Sequence, residues 1–263
     1  MTKITIFCPA TVPQKSGAGI NAFNLALELA IRGNIVNILC FQRGGLPITE
    51  EINGIKIIRI PIFYQNIVSK ILSYLIITPV FIVSLIRTDA GIVYGPIQGF
   101  LGILTLAKIL KKKVLFRSTM FGVDDVASIL EKRGRYLAPL IKRLLGTMGG
   151  YISQSPSMTQ SLKFEYGEKI PFIETAQGVN TNKFAPLTHT QKDNIRQKIG
   201  LPKDVIIIIS VGYVIKRKGL GDVFECLYKS RGIKYLYVVV GEYTLDSSHY
   251  LYGSQSEMLE IYN

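Results

Sequence analysis

The apolar positions of this chain follow two alternating rhythms. Short runs of branched aliphatic and aromatic residues occupy residues 4–10, 35–41, 55–60, 91–95, 113–119, 151–155 and 171–175. Continuous runs of that length predict strands buried on both faces, as in a parallel sheet. Between most of them the period lengthens to that of a helix. Over residues 21–32, Phe23, Leu25, Ala26, Leu29 and Ala30 recur near helical spacing, and Gly33 supplies a stop. Strand, helix and strand in repeated order predict a doubly wound α/β sheet with right-handed crossovers.

The rhythm breaks at "AQGVNTNKFAPLTHTQ", residues 176–191, which is rich in Asn, Thr and Pro and reads as a linker. A second α/β unit follows. "DNIRQKIGLPKD" reads as a short helix and turn, "VIIIISVG" as a buried strand, "GLGDVFECLYKS" as a helix and "YLYVVVG" as another strand. After Gly241 strand character fades. The expected organisation is therefore a complete first domain over residues 1–176, a linker over 177–191 and a partial second domain over 192–263. Two strands alone do not make a stable doubly wound sheet, so the second domain is expected to be incomplete.

One segment imitates a membrane span: "IVSKILSYLIITPVFIVSLI", residues 67–86. Lys70 and Pro79 interrupt it, and its charge-free part is at the short end of what crosses a bilayer. The expectation is a buried or membrane-touching helical segment.

At 263 residues, 48% hydrophobic and 19% charged, the chain has enough apolar material for a sizeable core. Its 31 Lys and Arg against 18 Asp and Glu give a formal charge of +13, which suits phosphate-bearing ligands, nucleic acid or anionic lipid. A nucleic-acid role would need an aromatic stacking platform or a recognition helix, and neither is visible. The three cysteines, Cys8, Cys40 and Cys226, lie far apart without metal or disulfide spacing. The N-terminus enters a strand directly, without the pattern of a secretory leader, so a cytoplasmic location is expected.

Within "KSGAGINAFNLALELAIRGNIVNIL" stands Gly17-x-Gly19-x-x-Ala22, the spelling of a dinucleotide-binding fingerprint. Such a site needs its first glycine almost directly after the first strand and an acidic residue at the end of the second. Here "TVPQKS" intervenes, and the second strand ends in Cys40, Phe41, Gln42 and Arg43. An NAD(P)-dependent enzyme is thus the weaker reading. Two others remain open: Gly17 and Gly19 let backbone N–H groups face an anion, or they simply permit a tight turn and close packing.

Asp124 and Asp125 follow a strand end, on the rim where open α/β sheets bind ligands. Acceptor recognition or acid/base work by Asp124 stands beside an N-cap role for a helix starting near Val126. No Asp or His cluster completes a metal site. In "EKRGRYLAPLIKRLLG", Lys132, Arg133, Arg135, Lys142 and Arg143 alternate with leucines and Ile141. That pattern fits a helix on an anionic membrane surface as well as a surface helix with its apolar face in the core. "KILKKKVLF" is similarly ambiguous.

Four stretches together resemble the family-4 glycosyltransferases: "SGAGINAFNLALELAIRGNIVNIL", "YISQSPSMTQSLKFEYG", "IETAQGVNTNKFAP" and "IISVGYVIKRKGLGDVFECL". The resemblance implies a GT-B fold, two Rossmann-like domains across a cleft, with the acceptor side N-terminal and a partial nucleotide-sugar-binding domain C-terminal. It implies transfer of a sugar, with retention, from a nucleotide-diphosphate donor to a hydroxyl acceptor such as a polysaccharide or lipid-linked precursor. The donor is a substrate, and no cofactor or metal is implied. Gly212, Arg217 and Lys218 would hold the donor diphosphate, while the loop of Gly17 and Gly19 would face the cleft. Cationic, multidentate contacts suit a leaving group whose charge grows.

The chain departs from the family pattern at Tyr213, Met120, Gln177 and Asn180, where Arg, His, Asn and Asp are usual. No two of its Glu residues are eight positions apart, so the family's donor-gripping Glu-x7-Glu pair is absent. The sequence accordingly reads as a truncated form of reduced or absent turnover. A non-catalytic anion- or membrane-binding remnant of a transferase is the alternative.

Overall fold

The computed structural model describes residues 1–13, 16–42, 44–61, 79–95, 101–212, 214–215, 218–230 and 234–241. The chain divides into two compact units, Met1–Val179 and Asn180–Asn263.

The first unit is built on strands β1 (Lys3–Phe7), β2 (Ile35–Phe41), β3 (Thr49–Ile52), β4 (Ile55–Ile60), β5 (Ala90–Tyr94), β6 (Lys113–Arg117), β7 (Gly150–Ser153) and β8 (Phe172–Glu174). They form one sheet in the order β3-β4-β2-β1-β5-β6-β7-β8. Every pairing is parallel except β3 with β4. Its helices are α1 (Gly17–Ile31), α2 (Leu101–Ile109), α3 (Val126–Glu131), α4 (Gly134–Leu145) and α5 (Pro156–Tyr166). All seven expected strands are present.

Strand β3 was not foreseen. It carries Glu50 and Glu51 and joins β4 through Asn53 and Gly54, both at positive φ. Asn-Gly is the tight hairpin signal, but β3 is too polar to read as a buried run.

The sheet is buried on both faces because successive side chains point to opposite sides. Ile6 joins Ile38, Ala22 and Ala26 in one cluster, while its neighbour Phe7 joins Val93, Phe116 and Leu104 in the other. That double burial is the reason the strands read as mainly apolar runs without strict alternation. Residues 79–86 are helical and send Phe81 and Leu85 into the second cluster. The remainder of the 67–86 segment lies outside the described residues. Among those described, no helix is long and apolar enough to cross a membrane.

The second unit contains α6 (His189–Lys198), β9 (Ile206–Val211), α7 (Leu220–Lys229) and β10 (Tyr235–Val240), with β9 and β10 parallel. Helix α6 starts inside the stretch assigned to the linker, because Thr188 and Gln191 form a reciprocal capping box. Val214, Tyr237 and Val239 make a small core with Ile208, Leu220, Val223 and Leu227. On the other face of the pair, Ile209 and Val211 remain mostly exposed.

Candidate functional site

In an open α/β sheet, ligands bind beyond the carboxyl ends of the strands where the strand order reverses. In the first unit that point lies between β1 and β5. The segment after β1 leads to α1, whose start differs from the expectation at residue 21. The helix begins at Gly17, because the Ser16 side chain caps it by accepting from the Gly19 amide at 3.4 Å.

This placement separates the two glycines. Gly17 has open space around the position of a side chain, whereas a methyl group on Gly19 would overlap the Ala10 carbonyl oxygen. Thr11 adds a hydroxyl bond to the Gly19 carbonyl at 3.3 Å. Gly19 is therefore a packing residue, and Gly17 is the glycine that leaves the first turn of α1 approachable.

Arg59 fixes the loop before α1 from below. Its guanidinium, only 1% exposed, donates to the carbonyls of Val12 and Pro47, each at 3.0 Å, and pairs with Glu50 at 2.7 Å. Nothing in the sequence pattern singled it out.

Asp124 and Asp125 are both buried, and both organise the loop after β6. Asp124 accepts from the hydroxyls of Ser118 and Thr119 and from the amides of Thr119 and Met120. Its carboxylate sits where a side chain on Gly95 would have to be. Asp125 caps α3, accepting from the amides of Ser128 and Gly122 and from the Ser161 hydroxyl. Burial pushes its pKa up, but those hydrogen bonds outweigh it and hold the carboxyl below its ordinary value. The expected N-cap is thus present, and it is Asp125.

Beside this loop, the Arg117 guanidinium lies over the Tyr94 ring at 5.4 Å, and the Tyr94 hydroxyl donates to Asn21 of α1 at 3.0 Å. Burial pushes the Tyr94 phenol up to about 12, with Arg117 opposing. Sequence reasoning missed this group, since an Arg at a strand end looks like an ordinary solvated charge.

In the second unit, β9 leads directly into Gly212, whose φ of 135° is one that residues with side chains rarely adopt. Its amide donates to the Val240 carbonyl at 2.8 Å, and Gly241 packs directly against it. The Lys218 side chain folds back over the same point: its Nζ lies 3.9 Å from where a Gly212 side chain would begin. Ser210, Val211, Gly212, Lys218 and Leu220 line a small cavity of about 120 Å³. That volume suits a phosphate group better than a whole nucleotide, since pockets for drug-sized ligands run to roughly 300–1,000 Å³.

Helix α7 begins beside the cavity with Gly219 as its cap residue and no side-chain cap bond, though Asp222 occupies its first turn. Uncapped first-turn amides favour an anion. Lys218 itself is exposed, so its charge remains available. Arg217, Lys216 and Tyr213 lie outside the described residues.

Among the described residues no group of His, Cys, Asp or Glu is arranged to hold a metal. Cys8 and Cys40 are buried, with the Cys8 thiol pushed up by burial, and Cys226 is exposed.

No protein-family model and no curated protein sequence matches this chain. Solved structures do. The chain is similar to the catalytic domain of starch synthase IV from Arabidopsis thaliana bound to ADP and acarbose, with 11% identity, a TM-score of 0.63, and 95% of this chain and 70% of that one covered. It is similar to Anabaena Alr3699/HepE in complex with UDP and glucose, at 12% identity and a TM-score of 0.62 over 95% and 64%. A glycosyltransferase from Rickettsia africae ESF-5 matches at 19% identity and a TM-score of 0.63 over 95% and 62%. At such identities the likeness is one of fold. The fold is α/β with a large parallel sheet, that of the GT-B glycosyltransferases. The chain spans 64% of HepE and 62% of the Rickettsia protein.

Proposed function

We propose that this chain is a glycosyltransferase related to family 4, moving a sugar with retention from a nucleotide-diphosphate donor to a hydroxyl acceptor of the polysaccharide or lipid-linked kind. The observation that carries the reading is Lys218 folded over Gly212 at the carboxyl end of β9, beside the start of α7. A positively charged ammonium there meets the diphosphate and stabilises the charge that grows as the sugar–phosphate bond breaks. Gly212 lets the phosphate approach the backbone, and Arg217, the residue before Lys218, adds a second cation. In the first unit Gly17 leaves the start of α1 open to the acceptor side. Asp124 holds the loop after β6 in shape. The ADP, UDP and sugars named for the similar structures belong to the same ligand class.

The test is calorimetric titration of the folded chain with uridine, guanosine and adenosine diphosphates, repeated with Lys218→Ala. Wild-type protein is expected to bind at least one, and the variant to bind it about tenfold or more weakly, the worth of one charge-assisted hydrogen bond. Absence of binding to all three by folded protein overturns the reading. The size of the cavity favours one alternative, a non-catalytic anion-binding module. It predicts pyrophosphate binding as tight as that of any nucleoside diphosphate.

A further inference from the structure

Helix α4 presents apolar side chains to solvent where a surface helix should be polar. Leu145 alone is fully buried, and Ile141 packs partly against the core. Tyr136 is 94% exposed, Leu137 54% and Leu140 53%. At about 100° per residue, Tyr136, Leu137, Leu140 and Leu144 share one stripe of roughly 100°, separate from the core-facing stripe of Ala138, Ile141 and Leu145. The loop before α3 carries Phe121 and Val123, also exposed. Lys132 ties that loop to the helical pair by donating to the carbonyls of Gly122 and Val123.

The charges around this ridge are of one sign. Between residues 131 and 145 stand Lys132, Arg133, Arg135, Lys142 and Arg143, against Glu131 alone. Lys142 is engaged by Glu165 at 2.7 Å. The three arginines form no ion pair with a described residue. Long arginine side chains can lay their stems along an apolar surface while their heads reach outward for phosphate. Exposed Tyr and Leu flanked by unpaired arginines match the interface of a bilayer, whose headgroups are anionic and whose interior is apolar.

We propose that α4 docks this protein on an anionic membrane surface, with Tyr136, Leu137 and Leu140 inserted and Arg133 and Arg143 on the lipid phosphates. The inference does not rest on the transferase reading, because none of these residues belongs to the site at Gly212 and Lys218.

The full chain is to be sedimented with vesicles of phosphatidylcholine alone and with vesicles containing phosphatidylglycerol, at low and high salt. Binding is expected only to the anionic vesicles and is expected to weaken with salt. Arg133→Glu/Arg143→Glu should reduce it by at least about fivefold per residue changed, and Leu137→Ser/Leu140→Ser should reduce it comparably, with melting temperatures near wild type. The chain contains no tryptophan, so Leu137→Trp provides a single reporter whose emission should shift to the blue on anionic vesicles.

Equal binding to neutral and anionic vesicles, or binding retained by both double variants, overturns the proposal. So does a wild-type dimer that Leu137→Ser/Leu140→Ser makes monomeric while vesicles capture neither; the face would then be a contact between copies. Nucleoside diphosphate affinity, measured on the same variants, should not change, which separates this outcome from the fate of the transferase reading.

Discussion

Gly19 packs against Ala10 so closely that a methyl group on Gly19 would overlap the Ala10 carbonyl oxygen and lie 3.0 Å from the Thr11 Cα. Two residues earlier, Gly17 has nothing within 4 Å of the same position. Neither has positive φ, so the difference is one of space alone. Gly19→Ala should destabilise the first unit by about 1–3 kcal/mol, because backbone must move to admit the methyl. Gly17→Ala should be neutral or stabilise by up to about 1 kcal/mol through lost chain entropy in the unfolded state. Thermal melting of the two variants checks this, and equal shifts would contradict the packing role given to Gly19.

At the end of β9, Gly212 and Gly241 stand in the same kind of relationship. A side chain on Gly241 would overlap the Gly212 carbonyl. Gly241→Ala should therefore displace Gly212 from its positive-φ conformation and weaken nucleoside diphosphate binding, even though Gly241 contributes no charge. Calorimetry on this variant alongside Lys218→Ala tests the geometry separately from the cation. Unchanged affinity would show that the backbone at Gly212 does not touch the ligand.

Asp125 links stability to pH. Its carboxyl is held below the ordinary aspartate value in the folded protein, so the unfolded chain takes up a proton first as the medium is acidified. Its contribution is complete above the unfolded pKa of about 3.9 and is lost as pH falls through the lower folded value. At neutral pH, Asp125→Ala should cost about 1–2 kcal/mol, the usual worth of an N-cap, and the gap from wild type should narrow below about pH 4. Urea unfolding midpoints measured from neutral to acid pH provide the comparison. A gap that stays constant would mean that the negative charge of Asp125 does not matter.

Arg59 reaches Val12 and Pro47 while Glu50, its ionic partner, remains 32% exposed. The two carbonyls should matter more than the charge on Glu50, because a glutamine at that position can still accept from the Arg59 guanidinium. Arg59→Met is expected to cost roughly 2–4 kcal/mol, from two carbonyls left unsatisfied, and Glu50→Gln no more than about 1 kcal/mol. Denaturant titration of both variants would expose the reverse order, which would place the stabilisation in the charges instead.

Much of this fold was legible from residue pattern. Runs such as Ile35–Phe41 are apolar at every position but Asn37 because the sheet is covered on both faces, and that signal is local. The hairpin at Asn53 and Gly54 carried an equally local turn signal, yet β3 escaped notice because an edge strand needs no apolar face. The start of α1 was misplaced because two glycines in a first turn argue against helix until Ser16 is seen as the cap.

What the sequence determined by itself was the set of parallel strands, the end of α1 at Gly33, and the fold class, since each rests on neighbours along the chain or on repeated period. Tertiary structure decided which glycine is packed, which aspartate is caged and how Lys218 lies over Gly212. Ala10 and Gly19 meet through the fold of one loop, while Gly95 and Asp124, and Arg117 and Tyr94, are brought together by strand order, and contacts of that kind leave no periodic trace.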